Sequence, residues 1–157
     1  MTRYSALAIL LVSLGIAACG GDDDSGSAPS KSEYAKNAEK ICQDTEKQLE
    51  NIGDGAERPE EVANAIDKVI DKGRKAADDL VALERPEGTA GETAEDFSEG
   101  FRSELNDQIV PALEDLQAAL KKKDVQAVQA AAKKLQDLET SRSDKAAREL
   151  GANACVG

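Results

Sequence analysis

Residues 30–55, SKSEYAKNAEKICQDTEKQLENIGDG, contain the pattern that decides the fold. Apolar and small side chains recur there at intervals of three and four, the period of one face of an α-helix: Tyr34, Ala38, Ile41, Cys42, Thr45, Leu49 and Ile52. Ser30 and Glu33 have the spacing of a capping box, in which each side chain accepts a hydrogen bond from a backbone N–H of the other. The run Gly53-Asp54-Gly55 is typical of a helix end. The stretch therefore predicts a first amphipathic helix with a defined start and stop.

The same period recurs three more times along the chain. A second helix is predicted to begin near Pro59 and to end at Arg85-Pro86, with an apolar face of Val62, Ile66, Val69, Ile70, Gly73, Ala77, Leu80 and Leu83. A third begins at the Thr93–Asp96 capping signal, with a face of Phe97, Phe101, Leu105, Ile109, Leu113, Leu116 and Leu120. A fourth is capped by Asp124 and ends at Gly151, with a face of Val125, Val128, Ala132, Leu135, Leu138 and Leu150.

These four periods predict an all-α protein. No segment alternates apolar and polar residues with the period of two that is typical of a strand, so no sheet is expected. Four helices of about 20–28 residues joined by short turns form an antiparallel up-down-up-down four-helix bundle, predicted for residues 32–157. In that topology the fourth helix lies beside the first.

The N-terminal residues have the composition of a secretory signal. A basic start with Arg3 precedes an apolar run from Tyr4 to Ala18, about 15 residues long and too short for a comfortable bilayer span. The run ends in Ile16-Ala17-Ala18-Cys19, which resembles the lipobox of bacterial lipoproteins. The alternatives are a secretory signal that is cut near Ala18 without lipidation and a retained membrane helix.

The resemblance implies that residues 1–18 are removed and that a diacylglycerol is attached to the Cys19 thiol. The mature protein would then be held by lipid on the extracytoplasmic face of the cell membrane. Residues 19–31, which include the acidic run Asp22-Asp23-Asp24, form a flexible tether. The body resembles small helical lipoproteins of actinobacteria in its Ile-Cys helix and its terminal Gly-x-x-x-Cys, Gly151 to Cys155. That resemblance implies no activity.

Two cysteines remain once Cys19 is assigned to lipid. Cys42 and Cys155 lie near opposite ends of the body of an exported chain, so a disulfide between them is predicted. The antiparallel arrangement of the first and fourth helices would bring the two residues together. The alternative is a pair of buried free thiols.

The composition excludes several classes of function. The chain has 31 acidic and 20 basic side chains, a net charge of -11, which disfavours binding to nucleic acid. It has no histidine, so no catalytic or metal site can use an imidazole. Adjacent carboxylates such as Glu114-Asp115 point about 100° apart on a helix and do not form a chelating site. We therefore expect no enzyme, no cofactor, no metal site and no catalytic residue.

Two positions inside predicted helices are candidates for a ligand site. Gly73 interrupts the second helix at a cost of about 1 kcal/mol relative to alanine, which the close approach of a neighbouring helix explains most simply. Pro111 lies inside the third helical period, where proline kinks or breaks a helix. A pocket at the Pro111 kink is the functional interpretation of both positions.

The basic residues form one cluster, Lys121–Lys123 with Lys133 and Lys134. Three lysines at the end of a helix complement its dipole, and this interpretation is favoured over a patch that binds an anionic polymer of the envelope.

The sequence thus predicts a membrane-anchored extracytoplasmic lipoprotein that acts as a non-enzymatic binding module, with the membrane as one partner and an envelope protein or polymer as another. The alternative is a carrier of a small ligand or cation with a pocket near Pro111. The oligomeric state is left open.

Overall fold

A computed structural model describes residues 27–138 and 140–157, and these residues are helical apart from the connecting turns. The six α-helices are α1 (Lys31–Leu49), α2 (Pro59–Val81), α3 (Thr89–Glu104), α4 (Val110–Lys122), α5 (Val125–Gln136) and α6 (Ser141–Leu150). A π-helical turn, Leu105–Ile109, joins α3 to α4, and a 3₁₀ turn, Asn153–Cys155, follows α6. The described ranges contain no strand, and the predicted all-α class is confirmed.

Two predicted helix starts are confirmed by their hydrogen bonds. At α1, the backbone N–H of Ser30 donates to the Glu33 carboxylate over 2.8 Å, and the N–H of Glu33 donates to the Ser30 hydroxyl over 3.3 Å. The hydrogen bonds from Ser30 lower the pKa of Glu33 below its ordinary value. At α5, the Asp124 carboxylate accepts from the N–H groups of the second and third helical residues, at 3.1 and 3.0 Å. Both caps satisfy donors that the helix itself leaves unpaired.

The third helical period begins one turn earlier than predicted and passes through Pro111 without a break. Residue Thr89, not Thr93, opens α3, after Gly88 with a positive φ of 65°. Within the π-helical turn the N–H of Val110 bonds to the carbonyl of Leu105, five residues back. The wider turn adds one residue to the helix directly before the proline. In a regular α-helix, the ring of the proline would clash with a carbonyl of the preceding turn. The proline is thus absorbed by a π-bulge.

The fourth predicted helix is divided in two. Its start at Asp124 and its end at Gly151, which has a left-handed φ of 87°, are as predicted. Asp137, Leu138 and Thr140 lie outside the helices, so α5 has 12 residues and α6 has 10. A helix of 10 residues is only about 15 Å long, roughly two fifths of the ~39 Å that a continuous helix from Val125 to Leu150 would cover.

The helices enclose two apolar clusters that meet at Phe101. One includes Tyr34, Leu80, Phe97 and Leu150, and the other lies between α2 and the π-helical region. Helix α3 packs on α6, α4 packs on α5, and α2 contacts α1, α3 and α4. Twelve of the twenty buried apolar residues are alanines, so the helices pack closely around a core of small side chains.

Candidate functional site

The chain is closed by a disulfide between α1 and the 3₁₀ turn. Cys42 and Cys155 are bonded, with their Cα atoms 5.3 Å apart and 113 positions apart in sequence, which confirms the predicted pair. The backbone beside the bond is held from both sides. The N–H of Ala154 donates to the Glu39 carboxylate of α1, and the N–H of Gly157 donates to the Asp144 carboxylate of α6, each over 3.3 Å. The residues after α6 therefore run back between α6 and α1.

The start of α6 is capped by a side chain from α3. The preceding residue, Thr140, makes no side-chain cap. Instead, the buried Glu104 carboxylate accepts from the backbone N–H groups of Arg142 and Ser143, at 3.1 and 3.3 Å, and from the Ser143 hydroxyl. A carboxylate at this position satisfies the unpaired donors of the first turn and interacts favourably with the positive end of the helix dipole. The break in the fourth helix is thus stabilised by α3.

A second contact from α3 supports the same junction. The Arg142 guanidinium lies 2.7 Å from the Asp96 carboxylate. Its hydrogen bond to Asp96 and the negative charge there raise the pKa of Arg142 further above its ordinary value. Both groups are exposed, so the pair orients α6 more than it stabilises the fold.

An open apolar groove lies beside the disulfide, and we call it the disulfide groove. One wall is a stripe of α1, the floor comes from α2 and α3, and the other wall is the segment after α6. The lining residues are Cys42, Thr45, Glu46, Leu49, Glu50, Ala76, Phe101, Ala154, Cys155, Val156 and Gly157. Its volume is about 480 Å³, within the range of small-molecule pockets.

The groove exists because α1 is covered along only part of its length. The buried residues of α1, Tyr34, Ala35 and Ala38, all belong to its first eight positions. Leu49, near the other end, stays half-buried, as do Phe101 and Val156 across the groove. The short α6 packs chiefly on α3 and makes few contacts with α1, so one side of the second half of α1 stays open within the described residues.

The groove has few polar side chains, and the charged ones are all acidic. The Thr45 hydroxyl donates to the Ile41 carbonyl over 2.8 Å, so its proton is already used. The carboxylates of Glu46 and Glu50 are exposed and form no ion pair with any described residue. The lining includes no lysine or arginine. The groove therefore offers an apolar surface edged by negative charge.

The two candidate ligand positions of the sequence lie elsewhere. A Cβ atom on Gly73 would be 3.2 Å from a methyl group of Leu105, so the close approach of a neighbouring helix is confirmed as a reason for this glycine. Pro111 is the second residue of α4 and is half-buried. Neither residue lines the disulfide groove. A ligand pocket at Gly73 and Pro111 remains a prediction.

The lysine cluster is largely paired with carboxylates. Lys123 lies 3.7 Å from Glu60, Lys133 lies 3.0 Å from Asp137, and Lys134 lies 2.9 Å from Asp115. These pairs reduce the positive field that an anionic polymer would meet. The cluster therefore makes a weaker anion-binding surface than the sequence alone suggests.

The predicted lipid site, Cys19, lies outside the described residues, as do the predicted signal peptide and the acidic part of the tether. Within residues 27–138 and 140–157, no helix has the length and apolar character needed to cross a bilayer. The same ranges contain no group of three or more cysteine, aspartate or glutamate side chains placed to hold a metal ion.

Comparisons of the chain with protein-family models, with curated proteins and with solved structures find no match. The fold and site define a disulfide-closed helical protein with an open apolar groove, and its function is argued from that geometry.

Sequence reasoning did not find the groove or the α6 junction. It assigned Leu49 to the buried face of the first helix. The residue does lie on the apolar face, but no neighbouring element buries it fully. Glu104 carries no local signal, because its partners are 38 and 39 positions away. A hint of the break was available in Asp137 and Thr140, residue types that favour helix ends over helix interiors.

Proposed function

We propose that this protein is a lipid-anchored, extracytoplasmic binding module without enzymatic activity, and that the disulfide groove is its binding face. The observation that carries the proposal is the open groove itself, where Leu49, Phe101 and Val156 are left half-buried in a domain short of large apolar residues. Half-covered apolar side chains in a concave surface are typical of a site that a partner completes.

The anchoring part of the proposal depends on the lipobox ending in Cys19. The disulfide supports an oxidising compartment, because disulfides persist in exported proteins and are rare in the cytosol. Lipid at Cys19 and a tether that ends before the Ser30 cap of α1 would hold the helical body close to the membrane while leaving the groove accessible to an envelope protein or polymer.

The proposal includes the antiparallel up-down-up-down order, with α5 and α6 as the two halves of the fourth segment. The contact between Glu104, at the end of α3, and the first turn of α6 supports an antiparallel course for these two helices. In this arrangement the binding face is the place where the interrupted fourth segment leaves the first one uncovered.

Site-specific photocrosslinking in intact host cells tests the binding face. A photoreactive amino acid replaces Leu49 in one strain and Val125 in another, because Val125 is an apolar residue of α5 that is 68% exposed and lies outside the groove. We expect discrete crosslinked products from position 49 and none of them from position 125. Identical products from both positions, or none from position 49, would contradict the proposed binding face.

Mass spectrometry of the protein isolated from host membranes tests the anchor. A diacylglycerol on Cys19 as the first residue is the expected result. A chain that is recovered from the culture medium without lipid would show that the protein is secreted and that the anchoring part is wrong.

A further inference from the structure

We infer that the disulfide groove accepts a basic amphipathic helix from a partner protein. The inference rests on the proposed function and specifies the chemistry of the partner. Two observations carry it: the helical shape of the open wall and the sign of its charges.

The exposed wall of α1 has the geometry of a helix-packing surface. Its lining residues, Cys42, Thr45, Glu46, Leu49 and Glu50, are spaced i, i+3, i+4, i+7 and i+8. Such a stripe forms the ridge against which a second helix packs in a bundle. The sequence predicts a long fourth helix at this position, but α6 has only 10 residues. A partner helix would supply the cover that the described part of the chain does not.

The charges select a basic partner. Glu46 and Glu50 are one helical turn apart, about 6 Å along the α1 axis, and they flank Leu49. Neither carboxylate is neutralised by a described residue, and the lining has no basic group. An apolar stripe with lysine or arginine at its edge would bury Leu49 and pair with both carboxylates.

The same features disfavour other occupants. A lipid with a phosphate or carboxylate head group would bring negative charge to the acidic edge, and an acyl chain would stay partly exposed in an open groove. In a two-fold symmetric dimer, the groove of each copy would face that of the other, and four carboxylates would meet. The net charge of -11 adds to the repulsion between copies.

The test measures the binding of synthetic helical peptides to the full protein in nanodiscs of zwitterionic lipid, or in buffer if the isolated protein carries no lipid. The probe is a fluorescent amphipathic peptide of leucine and lysine. One control peptide replaces lysine by glutamate, and a second replaces leucine by serine. Fluorescence anisotropy gives the dissociation constant of each peptide.

Three variants in the groove locate the contact, and two variants outside it serve as controls. Leu49→Ser removes an apolar group from one wall, and Val156→Ser removes one from the opposite wall. Glu46→Gln/Glu50→Gln removes the acidic edge. The matched charge control, Glu87→Gln/Glu114→Gln, removes two exposed carboxylates outside the groove that form no ion pair within the described ranges. Val125→Ser is the matched apolar control, and melting curves establish that each variant is folded.

We expect the leucine–lysine peptide to bind and both control peptides to bind much more weakly. Each serine variant in the groove should weaken binding about tenfold, because a buried apolar side chain contributes that much or more. The Glu46→Gln/Glu50→Gln variant should weaken binding about threefold to tenfold at low salt and reduce its salt dependence. Both control variants should bind like the parent protein.

Several results would overturn the inference. Equal binding of the leucine–glutamate peptide would show that the acidic edge does not select the partner. An equal loss of peptide binding in the Glu87→Gln/Glu114→Gln control would show that the overall charge of the protein, not the acidic edge of the groove, accounts for the effect. A dimer that Leu49→Ser abolishes would identify a second copy as the occupant. A partner that crosslinks at position 49 but carries no basic amphipathic helix would leave the proposed function intact and refute this inference alone.

Discussion

The capping of α6 by Glu104 leads to a sharp prediction about stability. Glu104→Ala removes the acceptor for two backbone N–H groups and for the Ser143 hydroxyl. The hydroxyl can turn to the Thr140 carbonyl, to which it already lies within 3.3 Å. The two N–H groups have no second acceptor in their own helix, because they belong to its first turn.

The expected loss follows from those two donors. An unsatisfied buried donor costs about 1–3 kcal/mol, and the lower half of that range applies because Arg142 is exposed and its N–H can be hydrated. We expect Glu104→Ala to reduce the free energy of unfolding by about 2–3 kcal/mol. Glu104→Gln keeps one acceptor oxygen and loses the negative charge beside the helix dipole, so its loss should be about 1 kcal/mol.

Urea unfolding monitored by circular dichroism measures these free energies, with Glu114→Ala as the control. Glu114 is an exposed carboxylate of α4 without an ion pair in the described ranges, so its replacement should change the stability by no more than about 0.5 kcal/mol. Hydrogen exchange should accelerate in residues 141–150 before it does so in α2. If Glu104→Ala is as mild as the control, or if exchange in α6 is unchanged, the cap has no energetic role.

Three further predictions concern the disulfide, one close backbone approach and the buried tyrosine. Reduction, or Cys42→Ser, should lower the free energy of unfolding by about 3–5 kcal/mol, since the bond closes a loop of 113 positions. An unchanged melting curve would show that the disulfide does not stabilise the fold. Gly91→Ala should cost about 2 kcal/mol or more, because the new Cβ would lie 2.2 Å from the Pro86 carbonyl oxygen. In the control Gly100→Ala, the new Cβ would lie 3.4 Å from the flexible Arg142 side chain and 3.6 Å from the Ser143 backbone nitrogen, which are ordinary contact distances. This variant should be near neutral in the same denaturation assay. Burial raises the pKa of Tyr34, more than a hydrogen bond and a nearby positive charge lower it. Its folded pKa lies above the unfolded value of about 10, so its contribution to stability is complete below pH 10 and is lost as the pH rises through the folded pKa. Urea titrations between pH 8 and 11 should show this loss in the parent protein and a shallower slope in Tyr34→Phe.

Much of the local structure follows from sequence signals that act over a few residues. The capping box at Ser30, the aspartate cap at position 124 and the glycine stop at 151 are all present as predicted. The start of α3 lies one turn early, because the positive φ of Gly88 provides a helix start that the Thr93 signal does not reveal. Helices α1 and α2 end at Leu49 and Val81, about one turn before the predicted stops at Gly53 and at Arg85-Pro86. Local signals succeed where the groups that satisfy the helix ends are neighbours in the chain.

The candidate site was much less accessible to prediction. Periodicity places Leu49 on the apolar face of its helix, but it does not say whether another helix covers that face. The answer depends on where α6 begins, and α6 begins where Glu104 of a different helix caps it. Gly73 and Pro111 drew attention as irregularities of sequence. Leu105 packing explains the glycine, and the π-helical turn accommodates the proline.

By itself, the sequence determined the helical class, several of the helix ends and the cysteine pair, because each is encoded in spacing or in a small number of residues. Only the tertiary structure decided that the fourth helical period is divided, that the proline is absorbed by a π-helical turn and that one side of the second half of α1 stays open within the described residues. These features depend on contacts between residues far apart in the chain, such as Glu104 with Ser143. The disulfide groove results from those contacts, which is why no local pattern predicts it.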